Sequence, residues 1–147
     1  MHKLMLGAVA AATILLTSVP ALGQELPVKS GDFWDVAAIT VDDGHFPDYV
    51  DFLAGEWRKR NDFSKSKGWI KDYKIFSNVN ARDGEPDLYL VTVFDHMTTP
   101  AEDIQREKEM NAFMASTTRQ GAAGSAHRAT YRKLRGDMLL QEMMFAR

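Results

Sequence analysis

The residues able to do chemistry beyond the first 23 positions of this sequence are three histidines (His45, His96 and His127), adjacent carboxylates, and a group of methionines near the C-terminus. Asp95-His96 has the composition of a base with an orienting carboxylate. Adjacent residues on a strand point to opposite faces, so the pair reads instead as a strand end leading into a capped helix. Asp42-Asp43 is expected to supply turn or helix-cap acceptors. Met138, Met143 and Met144 could offer thioethers to copper, but strand alternation sets Met143 apart from the other two and favours core filling. The basic run Arg58–Lys67 reads as a solvated helix face rather than a polyanion patch.

Other chemistries are excluded by residue type. The chain has no cysteine, which removes disulfides, thiolate catalysis, cysteine-based metal sites and a lipid-anchored N-terminus. There is no glycine-rich phosphate loop, no G-x-S-x-G and no H-E-x-x-H. No metal and no cofactor is expected. A shared metal needs histidines that meet, and the strand arrangement developed below sets His45 and His96 roughly 27 Å apart.

These residues lie in a chain of 147, of which Met1–Gly23 reads as a signal peptide. His2 and Lys3 precede an uncharged run of 13 residues, Leu4–Leu16, followed by Pro20 and the small residues Ala21 and Gly23. The run spans about 20 Å as a helix, short of the roughly 30 Å hydrocarbon core, so cleavage before Gln24 is expected rather than a retained anchor. The expected location is periplasmic or secreted, with no membrane segment after cleavage. Residues 24–32 are expected to form a flexible lead-in and residues 33–147 one domain. Composition is ordinarily globular, 45% hydrophobic and 26% charged. The net charge of −2 argues against a nucleic-acid partner.

Phe33–Val41 predicts a first strand, and Phe46, Val50, Leu53 and Trp57 recur at the spacing of one helix face. Gly68 supplies a stop for that helix. Trp69–Val79 and Leu88–Asp95 return to strand character. Thr99-Pro100-Ala101-Glu102 is a capping box for a second helix that should end before Gly121. Gly121–Ala126 looks small and loose, Arg128–Leu134 fits a short helix or half a hairpin turning at Gly136-Asp137, and Met138–Phe145 is the last strand.

The resulting order, βαββαβ, predicts an α+β ferredoxin-like fold, a four-stranded antiparallel sheet with two helices on one face. Alternation divides the strands into two sets. Ala37, Ile39, Val41, Tyr73, Ile75, Tyr89, Val91, Val93, Leu139, Met143 and Phe145 are assigned to the helix side. Trp34, Val36, Ala38, Thr40, Asp72, Lys74, Phe76, Leu88, Leu90, Thr92, Phe94, Leu140, Glu142 and Met144 form the other face. That face is too apolar for water and is expected to mark an interface or ligand site.

The element order from Phe33 to Phe145, the helix ending Lys67-Gly68-Trp69-Ile70 and the closing Leu139-Leu140-Gln141-Glu142 strand resemble the dimeric α/β-barrel superfamily, which includes antibiotic-biosynthesis-monooxygenase-like proteins. The resemblance implies a homodimer paired through its sheets and a small organic ligand; no catalytic residue carries over from it.

The expectation is an exported homodimer holding a small apolar or aromatic molecule. Trp34, Phe76 and Phe94 would be its walls, and Thr40, Lys74, Thr92 and Glu142 its polar contacts. Lys74 and Glu142 are also expected to pair with each other. Two alternatives stand beside this one: a cofactor-independent monooxygenase or isomerase acting on a phenolic or quinone-like substrate, and an interaction module without a ligand.

Overall fold

The computed structural model describes residues 26–146, so the leader and its expected cleavage point lie outside the described residues. The strands are β1 (Val28–Val41), β2 (Asp72–Ser77), β3 (Leu88–Phe94) and β4 (Arg132–Phe145), forming one antiparallel sheet in the order β2-β3-β1-β4. α1 (Phe46–Phe52), a π-helical turn (Leu53–Trp57) and α2 (Arg58–Ser66) run as one helix between β1 and β2. α3 (Pro100–Met114) and α4 (Thr118–Arg128) separate β3 from β4. The molecule is therefore α+β with a four-stranded antiparallel sheet. No helix among the described residues is long and apolar enough to cross a membrane.

Local chemistry explains the boundaries. Gly44, at φ 83°, makes the turn out of β1, and Pro47 presets the first turn of α1. Gly68, at φ 71°, ends the helix, with the Trp69 amide donating to the Ser64 carbonyl. Thr99 and Glu102 form the expected capping box on α3. A second box, Thr117 with Gln120, starts α4.

Three expectations change here. Val28–Asp32, read as lead-in, belongs to β1, where Val28 pairs with Phe145 and Lys29 with Met144. Gly121–Ala126, read as loose, is helical, because the Thr117 cap and the small residues of α4 permit a turn that hydrophobic periodicity does not announce. Gly136-Asp137 is not a hairpin: β4 runs through it with a register shift opposite Ala38/Ile39.

The register also corrects the face assignment of β3. Leu88 pairs with Ile39, Leu90 with Ala37 and Ile75, and Thr92 with Asp35 and Tyr73, which puts Leu88, Leu90, Thr92 and Phe94 on the helix side. Tyr89, Val91 and Val93 therefore face away from the helices, beside Trp34 and Val36. Leu-Tyr-Leu-Val-Thr-Val-Phe is apolar at both phases, so alternation could not fix its direction; a one-residue change of phase exchanges the faces of the whole strand.

Two clusters form the core. Ile39, Tyr49, Leu53, Leu88 and Tyr131 pack between sheet and helix. Val36, Val91 and Val93 pack on the opposite side, flanked by Trp34 and Tyr89. α3 packs on α2 rather than on the sheet. Phe113 stacks on Phe63 at 4.1 Å, Lys67 pairs with Glu109 at 2.8 Å, and α3 buries none of its own residues. The helices thus leave β4 uncovered: Leu134, Leu139 and Met143 are exposed on the helix side, Met138, Leu140 and Met144 on the other.

Candidate functional site

The helix lies over β1 and β3, where Tyr49 and Leu53 meet Ile39 and Leu88. β2 lies one strand further out and carries Tyr73 and Ile75 on the same side. Between this strand and the helix is a cleft of about 430 Å³, lined by Phe46, Val50, Leu53, Ala54, Trp57, Arg58, Tyr73, Ile75 and Leu88. Its volume falls in the range of small-molecule sites. Phe46, Val50 and Ile75 stay exposed at its edges.

Leu53, Ala54 and Trp57 come from the π turn, whose extra residue re-aims the side chains that follow it; such turns recur at functional sites. The Trp57 and Tyr73 rings meet edge to face at 5.3 Å and join helix to strand. The Tyr73 hydroxyl donates to the Asp62 carboxylate at 2.5 Å. That bond, with burial, raises the phenol above its ordinary pKa, against the opposing pull of Arg58. Arg58 approaches Asp62 through Nε at 3.6 Å, with both side chains more than half exposed.

The residues expected as a site divide between the two faces of the sheet. Trp34, Thr40, Lys74, Phe76 and Glu142 lie on the face away from the helices, while Thr92 and Phe94 lie on the helix side. Phe94 stacks on Phe33 at 5.8 Å. Lys74 sits over the Trp34 ring at 5.4 Å and pairs with Asp72 at 3.1 Å, not with Glu142. Lys74 pairs within its own strand because Asp72 is two positions away on the same face. Glu142 packs over Gly31, where an added Cβ would come within 3.0 Å of its Oε2. None of the seven lines the cleft.

The histidines among the described residues occupy two places. The His45 ring stacks on Tyr131 at 5.3 Å and takes part in a hydrogen bond with Asp48, while His127 meets the same tyrosine edge-on at 6.0 Å. His96 Nδ1 lies 2.5 Å from Asp95 Oδ1, a contact excluded by strand alternation but allowed because β3 ends at Phe94. His96 borders a polar groove of about 310 Å³ with Lys67, Trp69, Glu102 and Arg106. No group of three or more His, Cys, Asp or Glu side chains among the described residues is arranged to hold a metal.

Sequence reasoning also passed over Asp35. It sits on the helix side of β1, diagonal to Asp137 on β4. Burial, a hydrogen bond to Asp137 and repulsion from that carboxylate push Asp35 up to about 6. The available signal was an aspartate inside the run Phe33–Val41, whose other residues except Thr40 are apolar.

Comparison with protein-family models and with curated proteins returns no match for this chain.

Proposed function

We propose that this chain is an exported, ferredoxin-like protein that pairs through its sheets as a homodimer and binds a small apolar or aromatic molecule. The observation that carries the binding reading is the apolar cleft between the helix and β2. An aromatic body would meet Phe46, Trp57 and Tyr73, and an aliphatic one Val50, Leu53, Ile75 and Leu88. The strand order and antiparallel pairing are compatible with a ferredoxin-like sheet. The dimer is supported by an unusual edge: β4 is 14 residues long and exposes apolar side chains on both faces. An edge of that kind, left bare, invites uncontrolled association. Export is supported by the apolar run Leu4–Leu16.

The enzymatic alternative calls for a titrating group inside the cavity. Asp35, the carboxyl raised to about 6, lies outside the cleft lining, and the shifted group inside it, the Tyr73 phenol, is raised and keeps its proton on Asp62, so the geometry favours binding over catalysis.

The test uses N-phenyl-1-naphthylamine, an uncharged fluorescent probe. Saturable enhancement with one site per chain is expected, and Ala54→Trp should abolish it, because Ala54 is exposed on the cleft wall and accepts a larger side chain without disturbing the core. Unsaturable binding, or full binding by the Ala54→Trp variant, would overturn the reading.

A further inference from the structure

The chemistry of the cleft mouth narrows its ligand, on the footing that the cleft is a binding site. Among the nine lining residues Arg58 is the one with a charged side chain, and no carboxylate joins it. The other polar side-chain groups on the wall are the Tyr73 hydroxyl and the Trp57 indole N–H. The Tyr73 proton is already donated to Asp62. Arg58 stands beside the Tyr73 hydroxyl and approaches Asp62 at a distance longer than a hydrogen bond, with its side chain open to solvent.

A second, shallow depression of about 420 Å³ continues from the same point. It shares Ala54 and Arg58 with the cleft and adds Gly55, Lys59, Asp62 and Phe113. Lys59 stands 5.2 Å from the centre of the Phe113 ring. Arg58 therefore stands where an apolar space opens onto a more polar one that holds a further cation.

We infer that the ligand is a small amphipathic anion, with its apolar body in the cleft and a carboxylate-like group at Arg58. A guanidinium engages a carboxylate through two parallel N–H bonds, which a neutral amide cannot reproduce. Asp62 sets the selectivity from the other side: it repels the anion unless Arg58 turns to it, so a ligand without the apolar body gains little from the site.

The experiment compares naphthalene-2-carboxylate with naphthalene-2-carboxamide, two probes of nearly equal shape, by calorimetry on the full mature protein. The wild type should prefer the carboxylate about tenfold, equivalent to about 1.4 kcal/mol. Arg58→Gln should bring the two affinities within twofold of each other, chiefly by weakening the carboxylate. Arg58→Lys should keep part of the preference, and added salt should weaken it in the wild type. Equal wild-type affinities, or a preference that survives Arg58→Gln, would overturn the inference and leave the cleft assignment standing. Failure of both probes to bind would overturn the binding reading itself.

Discussion

Trp57 of the π turn and Tyr73 of β2 meet edge to face at 5.3 Å, and this contact joins the helix to the outermost strand of the sheet beside the cleft. It makes Trp57 a built-in reporter of cleft occupancy. Tyr73→Ala should loosen the wall, shift Trp57 emission to the red and weaken N-phenyl-1-naphthylamine binding several-fold. The edge-to-face contact itself is worth about 1 kcal/mol, so thermal unfolding should fall only modestly. An unchanged emission maximum would show that Trp57 does not sense the cleft.

Asp35 and Asp137 give stability a pH dependence of definite sign. Asp35 titrates near 3.8 when unfolded and near 6 when folded, so between these values the folded state binds more protons. Stability should therefore fall as pH rises from about 4 to about 6. Asp35 keeps substantial solvent contact, and after screening the loss is on the order of 1 kcal/mol. Asp137→Asn should remove the repulsion, draw Asp35 back toward the ordinary carboxylate range and flatten the profile. Denaturant midpoints measured across this window check it, and a profile that rises toward pH 6 would contradict it.

Tyr49 is the largest fully buried side chain, 1% exposed among Ile39, Leu53, Leu88 and Tyr131. Tyr49→Ala should cost about 3–5 kcal/mol by leaving a cavity where helix meets sheet. Thr99→Ala should cost only about 1 kcal/mol, because it removes one half of the α3 capping box on an exposed helix end. Chemical denaturation of the two variants should rank them in that order.

Most of the element plan was legible in the sequence, and the reasons are local. Turn and cap residues such as Gly68 and Thr99 act within a few positions of themselves. The four-residue and three-residue spacing of Phe46, Val50, Leu53 and Trp57 marked one helix face correctly. All four line the cleft, and Leu53 also packs into the core. Periodicity reports which side chains share a face, and it is silent on whether the facing strand reaches them. The faces of Thr92 and Phe94 escaped the sequence for a different reason. Thr92 and Phe94 were grouped with Trp34 because β3 is apolar at both phases, and register is a property of the paired strands. Asp95 and His96 meet because the strand stops one residue before the pair, a boundary shift smaller than sequence patterns resolve.

The proposed dimer makes its own prediction at the face away from the helices. Leu140 is half exposed there and neighbours Trp34 across the β1–β4 pairing. Leu140→Lys should convert a dimer to a folded monomer, seen as a halved mass by light scattering with an unchanged circular dichroism spectrum. A wild-type protein that is already monomeric at tens of micromolar would contradict the dimer.

The cleft is tested most directly by titrating the isotope-labelled protein with naphthalene-2-carboxamide and following backbone amide shifts. Changes should concentrate at Val50, Leu53, Ala54 and Trp57 on the helix, and at Tyr73, Ile75 and Leu88 on the sheet. Changes centred instead on Trp34, Phe76 and Leu140 would place the ligand on the opposite face and contradict the account.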